Sequence, residues 1–357
     1  MNLIRTLHAW TGAILSLGLI VLGLTGALLV FKTEWIRATV PAARAMVDTS
    51  PGALGAVLER LEHDAPGRLS AVTFAGQGLG VHQVRFNDGQ SAYASGDGAL
   101  VARWYGTGRP EILVQGLHHV LLYGSGGRKA VGILGVAGAL LAATGLVVWA
   151  PVWRGFAWRV WPTSARRRDL IYAHRDLGVI FAIPILVLCL TGAAVVFFQP
   201  AQALLRVLVP GDGVERRPTP AAGQGDIDWP RALAAAQARF PDAALRTVRW
   251  PDSPGAPATI QMRQPGEWYA NGWTTVDIDP ATGQVLSAYD AQAAAPGVRA
   301  FEASFPLHEA TVGGLAYRVV GAAAGLALAM LGGFGLWAFL IRQLRRPRGR
   351  SGSPAGD

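Results

Sequence analysis

Four of the seven histidines in the 357 residues fall into two pairs when the chain is slid along itself. A slide of 166 residues lays 8–31 on 174–197 without a gap, with 11 of 24 positions identical, and puts His8 on His174. A slide of 190 lays 117–149 on 307–339, with ten of 33 identical. It puts His118 on His308, Gly124 on Gly314 and Arg128 on Arg318. Gly12 follows His8 by four residues and Gly178 follows His174 by four, so each glycine shares its histidine's helical face. Leu24-Thr25-Gly26-Ala27 recurs as Leu190-Thr191-Gly192-Ala193.

Histidine in or beside an apolar segment is a costly placement that points to function. Two neutral imidazoles on facing helices suit the axial positions of a b-type haem, and glycine near them leaves space for a flat macrocycle. One or two such haems, held non-covalently, would use His8 with His174 and His118 with His308. A haem near each face of a bilayer would make an electron path across a core of roughly 30 Å. Arg128 and Arg318 lie ten residues after their histidines, and their forked guanidiniums suit haem propionates. The same residues have plainer uses. The histidines serve equally as interfacial anchors, the arginines as phosphate anchors for lipid, and the glycines and Leu-Thr-Gly-Ala motifs as close helix contacts. A zinc or non-haem iron site would recruit Cys, Asp or Glu as well, and Glu309 beside His308 is the residue available for it. His119 could stand in for His118, with Gly124-Ser125-Gly126-Gly127 breaking the local helix. His63 and His82 read as domain-surface residues.

The elements that must carry these residues are membrane helices. Hydrophobic residues make up 51% of the chain and charged residues 15%, with a mean hydropathy of +0.30. The apolar stretches at 9–31, 131–150, 177–198 and 315–341 each have the length that crosses a bilayer, about 20 helical residues. The first is too long for the apolar region of a signal peptide. The net charge of +9 is concentrated beside these stretches, which argues for a membrane protein and against a nucleic-acid partner. Cys189 is the only cysteine, so no internal disulfide forms, and no C-x-x-C-H is present for covalent haem attachment.

Orientation follows from the Arg-rich connection at 151–176 and the basic tail at 342–357, which stay in the cytoplasm. The expected organisation has both termini inside a bacterial inner membrane, with transmembrane helices at 1–31, 130–150, 177–198 and 315–341. Two periplasmic α+β domains at 32–129 and 199–314 complete it. In each, a helix (51–63, 229–240) precedes three strands, at 69–74, 81–86 and 90–94 and at 245–250, 258–263 and 273–278. Trp149, Trp153, Trp158 and Trp161 cluster as an interfacial aromatic belt.

His8 with Gly12 and Leu24-Thr25-Gly26, His174 with Gly178 and Leu190-Thr191-Gly192, and Leu307-His308 together resemble the PepSY-associated transmembrane helix proteins. That group includes iron-regulated membrane proteins and siderophore reductases. Val276-Asp277-Ile278-Asp279-Pro280-Ala281-Thr282-Gly283-Gln284-Val285-Leu286 resembles the closing hairpin of a PepSY domain. The first outer segment departs from it, with Ser95-Gly96-Asp97-Gly98 at the turn. The resemblance implies four transmembrane helices with internal duplication, two periplasmic PepSY-like domains, and haem ligands at His8, His174, His118 and His308. It implies electron transfer from a quinol or a separate cytoplasmic reductase to a periplasmic acceptor such as a ferric siderophore. The alternative is a non-enzymatic membrane protein whose outer domains bind a peptidase or an envelope partner.

Overall fold

The computed structural model describes residues 2–344. Arg345, Arg346, Arg348 and Arg350 of the expected basic tail lie outside the described residues. In chain order the elements are α1 (Asn2–Leu29), α2 (Lys32–Thr39), α3 (Pro51–Asp64), β1 (Leu69–Thr73), β2 (His82–Phe86), β3 (Gln90–Ala94), β4 (Leu100–Tyr105), α4 (Pro110–Val120) and α5 (Gly124–Trp149). The second half follows as α6 (Arg167–Val196), α7 (Phe198–Leu208), α8 (Trp229–Arg239), β5 (Ala244–Arg249), β6 (Ala258–Arg263), β7 (Thr274–Ile278), β8 (Val285–Tyr289), α9 (Pro296–Glu302), α10 (Ser304–His308) and α11 (Gly314–Leu344). Each half therefore runs long helix, short helix, helix, four strands, short helical segment, long helix.

Two compact units divide this chain. A helical unit takes the chain up to Ala27, Ile133–Leu190 and the chain from Val320 on; a sheet unit takes Leu28–Gly132 and Thr191–Val319. Helices α1, α5, α6 and α11 are long and apolar enough to cross a membrane. Inside the helical unit, glycines bring their backbones together. A methyl group added at Gly23 would lie 2.5 Å from the Gly325 carbonyl on α11. One added at Gly18 would lie 2.8 Å from Leu134 on α5, and one at Gly138 would lie 2.8 Å from Cys189 Sγ on α6.

The long helices begin earlier than the apolar stretches that mark them. Helix α6 starts at Arg167 rather than 177, and α5 starts at Gly124 rather than 130. Hydropathy locates the lipid-soluble part of a helix, whereas its backbone hydrogen bonds continue into the polar flank. Gly124-Ser125-Gly126-Gly127 is accordingly the first turn of α5 and not a break. The chain turns at Leu121 and Leu122, both left-handed with φ of 46° and 57°. Gly127 is required there, because any side chain would collide with the Val120 carbonyl.

In the sheet unit the two expected domains are one. The strands form a single antiparallel sheet in the order β4-β3-β2-β1-β5-β6-β7-β8. Its two halves join where β1 pairs β5, with Val72 opposite Val248 and Thr73 opposite Thr247. Pairing covers two strand edges that separate domains would leave open. Helix α3, capped by Ser50, and α8, capped by Asp228, lie over the same face. Leu54, Leu58, Trp229, Leu233, Val72, Val248 and Ile260 then share one core. The strands β4 and β8 complete each half beyond the three expected. At the β3–β4 turn, the Ser95 hydroxyl, the Ala99 N–H and Arg60 hold Asp97 down at about 2.

His82 corrects a surface assignment. It is fully buried, because β2 sends His82, Val84 and Phe86 to the core face. Its Nδ1 accepts the Ala75 N–H at 3.1 Å, and burial lowers its pKa to about 4. His63 is exposed, as expected.

Candidate functional site: two histidine pairs

Each pair of histidines separated widely in sequence comes into ring contact. In the helical unit, His8 on α1 and His174 on α6 have ring centres 6.3 Å apart, with planes at 83°. In the sheet unit, His118 at the end of α4 and His308 at the end of α10 have ring centres 5.9 Å apart, with planes at 30°. His118, not His119, makes the contact with His308.

Hydrogen bonds fix the tautomer of the first pair. His174 Nδ1 lies 3.0 Å from the Leu331 carbonyl oxygen, which only accepts, so Nδ1 carries the proton. His8 Nδ1 lies 3.0 Å from Thr144 Oγ1. Thr144 donates its own proton to Leu140 O at 2.7 Å, so His8 Nδ1 is again the donor. Both neutral rings therefore keep their lone pair on Nε2, with Nδ1 anchored as it is in histidine ligands of metals. Asp176, two residues past His174, is buried and accepts from Ala157 N, Arg159 N, Arg159 Nε and Arg175 Nε, tying the 150–166 connection to α6.

The glycines discriminate between packing and a cradle. A methyl added at Gly12 would lie 3.9 Å from Leu141, and one at Gly178 would lie 3.6 Å from Leu331, both ordinary contacts. Helix packing thus does not require glycine at either position, in contrast to Gly18, Gly23 and Gly138. Gly145 and Gly335, matched by the slide of 190, face the rings themselves. Added methyls there would lie 3.5 Å from His8 Cε1 and 3.3 Å from His174 Cε1. Their equivalence was legible in the repeat; their proximity to the other pair's histidines was not.

The second pair rests on Thr191 and Gly192 of α6. Thr191 Oγ1 lies 3.4 Å from His308 Nδ1, and a methyl on Gly192 would lie 2.6 Å from His308 Cε1. Nearby, Lys32 donates to Gln115 at 2.6 Å, and buried Glu111 binds Arg109 and accepts from Tyr93 Oη at 3.2 Å. Arg318 does not stand open for an anionic cofactor group. It is spent on Glu34 at 2.6 and 2.7 Å and on the Val30 carbonyl at 2.8 Å. Arg128 is exposed at the start of α5.

Both separations lie within the ordinary range for two aromatic rings in contact, and they are also close to the roughly 6 Å between the ring centres of two imidazoles that share one ion through bonds of about 2 Å. Among the described residues no three His, Cys, Asp or Glu side chains converge as a metal site.

The model of one protein family, described as the PepSY-associated TM region, matches residues 5–342. The search of curated proteins returns no match.

Proposed function

We propose that this chain, which belongs to the PepSY-associated TM family, is a haem b membrane oxidoreductase that delivers electrons to a periplasmic ferric chelate such as a siderophore. The observation that supports the reading is the approach of His8 to His174 and of His118 to His308, each pair close enough that both imidazoles would reach one haem iron. Haem, when bound, would supply a one-electron iron couple tuned by the residues that hold it.

The chain's own residues do the rest. His8 and His174 would present Nε2, Thr144 and the Leu331 carbonyl hold their rings in orientation, and Gly145 and Gly335 keep side chains off the rings, with Gly12 and Gly178 one helical turn beyond the histidines. His118 and His308 would form the second ligand pair, with Thr191 and Gly192 setting the His308 ring. The distribution of arginine argues for cytoplasmic termini and a periplasmic sheet unit in an inner membrane. The electron donor is then a quinol or a separate cytoplasmic reductase.

The test is an absorption spectrum of detergent-purified protein, oxidised and then reduced with dithionite. Split, sharp visible bands and a pyridine haemochrome count of two per chain are expected. His8→Ala with His174→Ala should remove one haem and leave the other. A featureless spectrum after haem supplementation during expression would refute the reading.

A further inference from the structure

The sheet has a second face, opposite α3 and α8, and its register assembles a cationic site there. Val72, Val84, Val248 and Ile260 point into the core, so their neighbours Ala71, Thr73, Arg85, Thr247, Arg249 and Gln261 point the other way. Thr73 and Thr247 meet through their hydroxyls at 3.1 Å across the junction of the two half-sheets. One register step away, Ala71 stands directly between Arg85 and Arg249. Two arginines thus flank a single methyl group, their Cα atoms two strand spacings, or roughly 9–10 Å, apart.

Charge at this site is unbalanced. Among the described residues neither Arg85 nor Arg249 forms an ion pair with a carboxylate; Arg249 donates instead to the neutral Gln261 Oε1 at 2.9 Å. Arg216 brings a third positive charge, seated over the Tyr289 ring at 4.3 Å and donating to Thr275 Oγ1 at 3.0 Å. Partial burial, and then the positive charges of Arg85 and Arg216, push the Arg249 pKa down. The nearest acid along the register, Asp277, already accepts from the Thr219, Thr259 and Ser287 hydroxyls. Arginine forks bind carboxylates in a bidentate manner, and two forks on either side of a small floor suit two carboxylates of one molecule.

From this arrangement we infer that the face centred on Ala71 binds a small polycarboxylate, free or as a metal chelate, with Arg85 and Arg249 each holding one carboxylate. Thr73 and Thr247 supply the neutral hydroxyls beside them, while the Gln261 amide is taken up by Arg249 and the Gly272 carbonyl and holds the Arg249 fork in place. The site is independent of the haem reading.

The experiment is isothermal titration calorimetry of the full-length protein in detergent at neutral pH and low ionic strength, with citrate as probe. Saturable binding is expected, weakened tenfold or more by Arg85→Gln or by Arg249→Gln and abolished by the double variant. Arg239→Gln, on the far side of the sheet, should leave affinity unchanged. Arg85→Lys and Arg249→Lys, which keep the charge and lose the fork, should also weaken citrate, so the inference stays testable if a glutamine variant misfolds. Absence of binding, binding retained by the double variant, or phosphate binding as tightly as citrate would each overturn it. Haem content of the same preparations separates the two readings. A haem-bearing protein that ignores citrate refutes this site alone, and a colourless protein that binds citrate refutes the haem assignment alone.

Discussion

Replacing Gly192 by alanine puts a methyl carbon 2.6 Å from His308 Cε1, 3.1 Å from its Nδ1 and 3.3 Å from its Nε2. A carbon–carbon contact settles at about 3.5 Å, so the ring must withdraw by about 0.9 Å. Ligand constellations tolerate about 0.5 Å before they fail, and a metal–nitrogen bond does not stretch by the difference. The helix itself loses nothing, since alanine is favoured over glycine in a helix interior by about 1 kcal/mol. Under the proposed haem reading, Gly192→Ala should therefore fold, retain haem at the His8–His174 pair, and lose haem at the His118–His308 pair or hold it in a five-coordinate form. Reduced-minus-oxidised spectra and a haemochrome count read this directly, with Gly333→Ala, whose added methyl meets open space, as the control. Two intact low-spin haems in Gly192→Ala would refute the assignment of His308.

Gly23→Ala should push α1 from α11, because its methyl would lie 2.5 Å from the Gly325 carbonyl and 3.0 Å from Ala329 N. A cost of roughly 1–3 kcal/mol is expected, seen as a lowered thermal midpoint in detergent, and an unchanged midpoint would contradict the packing. Arg109→Ala leaves the fully buried Glu111 without its cation and should cost roughly 3–5 kcal/mol, with Glu111→Gln costing less; equal losses would argue against a buried ion pair. His82, with its folded pKa lowered to about 4 from 6.5, stays neutral while the unfolded chain takes up a proton. Stability from this residue is present above pH 6.5 and falls as pH drops toward 4, by about 3 kcal/mol at most. Unfolding midpoints across that range should fall less steeply in His82→Gln than in the natural chain.

The repeat, the membrane helices and the histidine pairing were legible in the sequence because each depends on a linear signal. A run of about 20 apolar residues has few ways to satisfy its backbone except as a membrane helix. Similar segments at a constant offset keep their spacing, so His8 and His174, or His118 and His308, align by sliding alone. The core position of His82 was also available, in the alternation with Val84 and Phe86, and was overridden by the polarity of histidine. Helix ends were less legible, since Arg167 and Gly124 begin helices that hydropathy does not reach.

What the amino-acid order determined by itself was which residues are alike and which segments are apolar; what it left to the tertiary structure was which surfaces meet. Nothing local distinguishes two four-stranded domains from one eight-stranded sheet, because the choice rests on β1 finding β5 across some 170 residues of intervening chain. That pairing alone sets Arg85 and Arg249 on either side of Ala71. The roles of the glycines were likewise decided in three dimensions. Gly12 and Gly18 look equivalent in α1, but one neighbour crowds Gly18 and ordinary contact alone meets Gly12, a difference that lies in the helix packed against them. Arg318 matched Arg128 in sequence, yet the approach of Glu34 committed its charge elsewhere, since an arginine pairs with the carboxylate that folding brings to it.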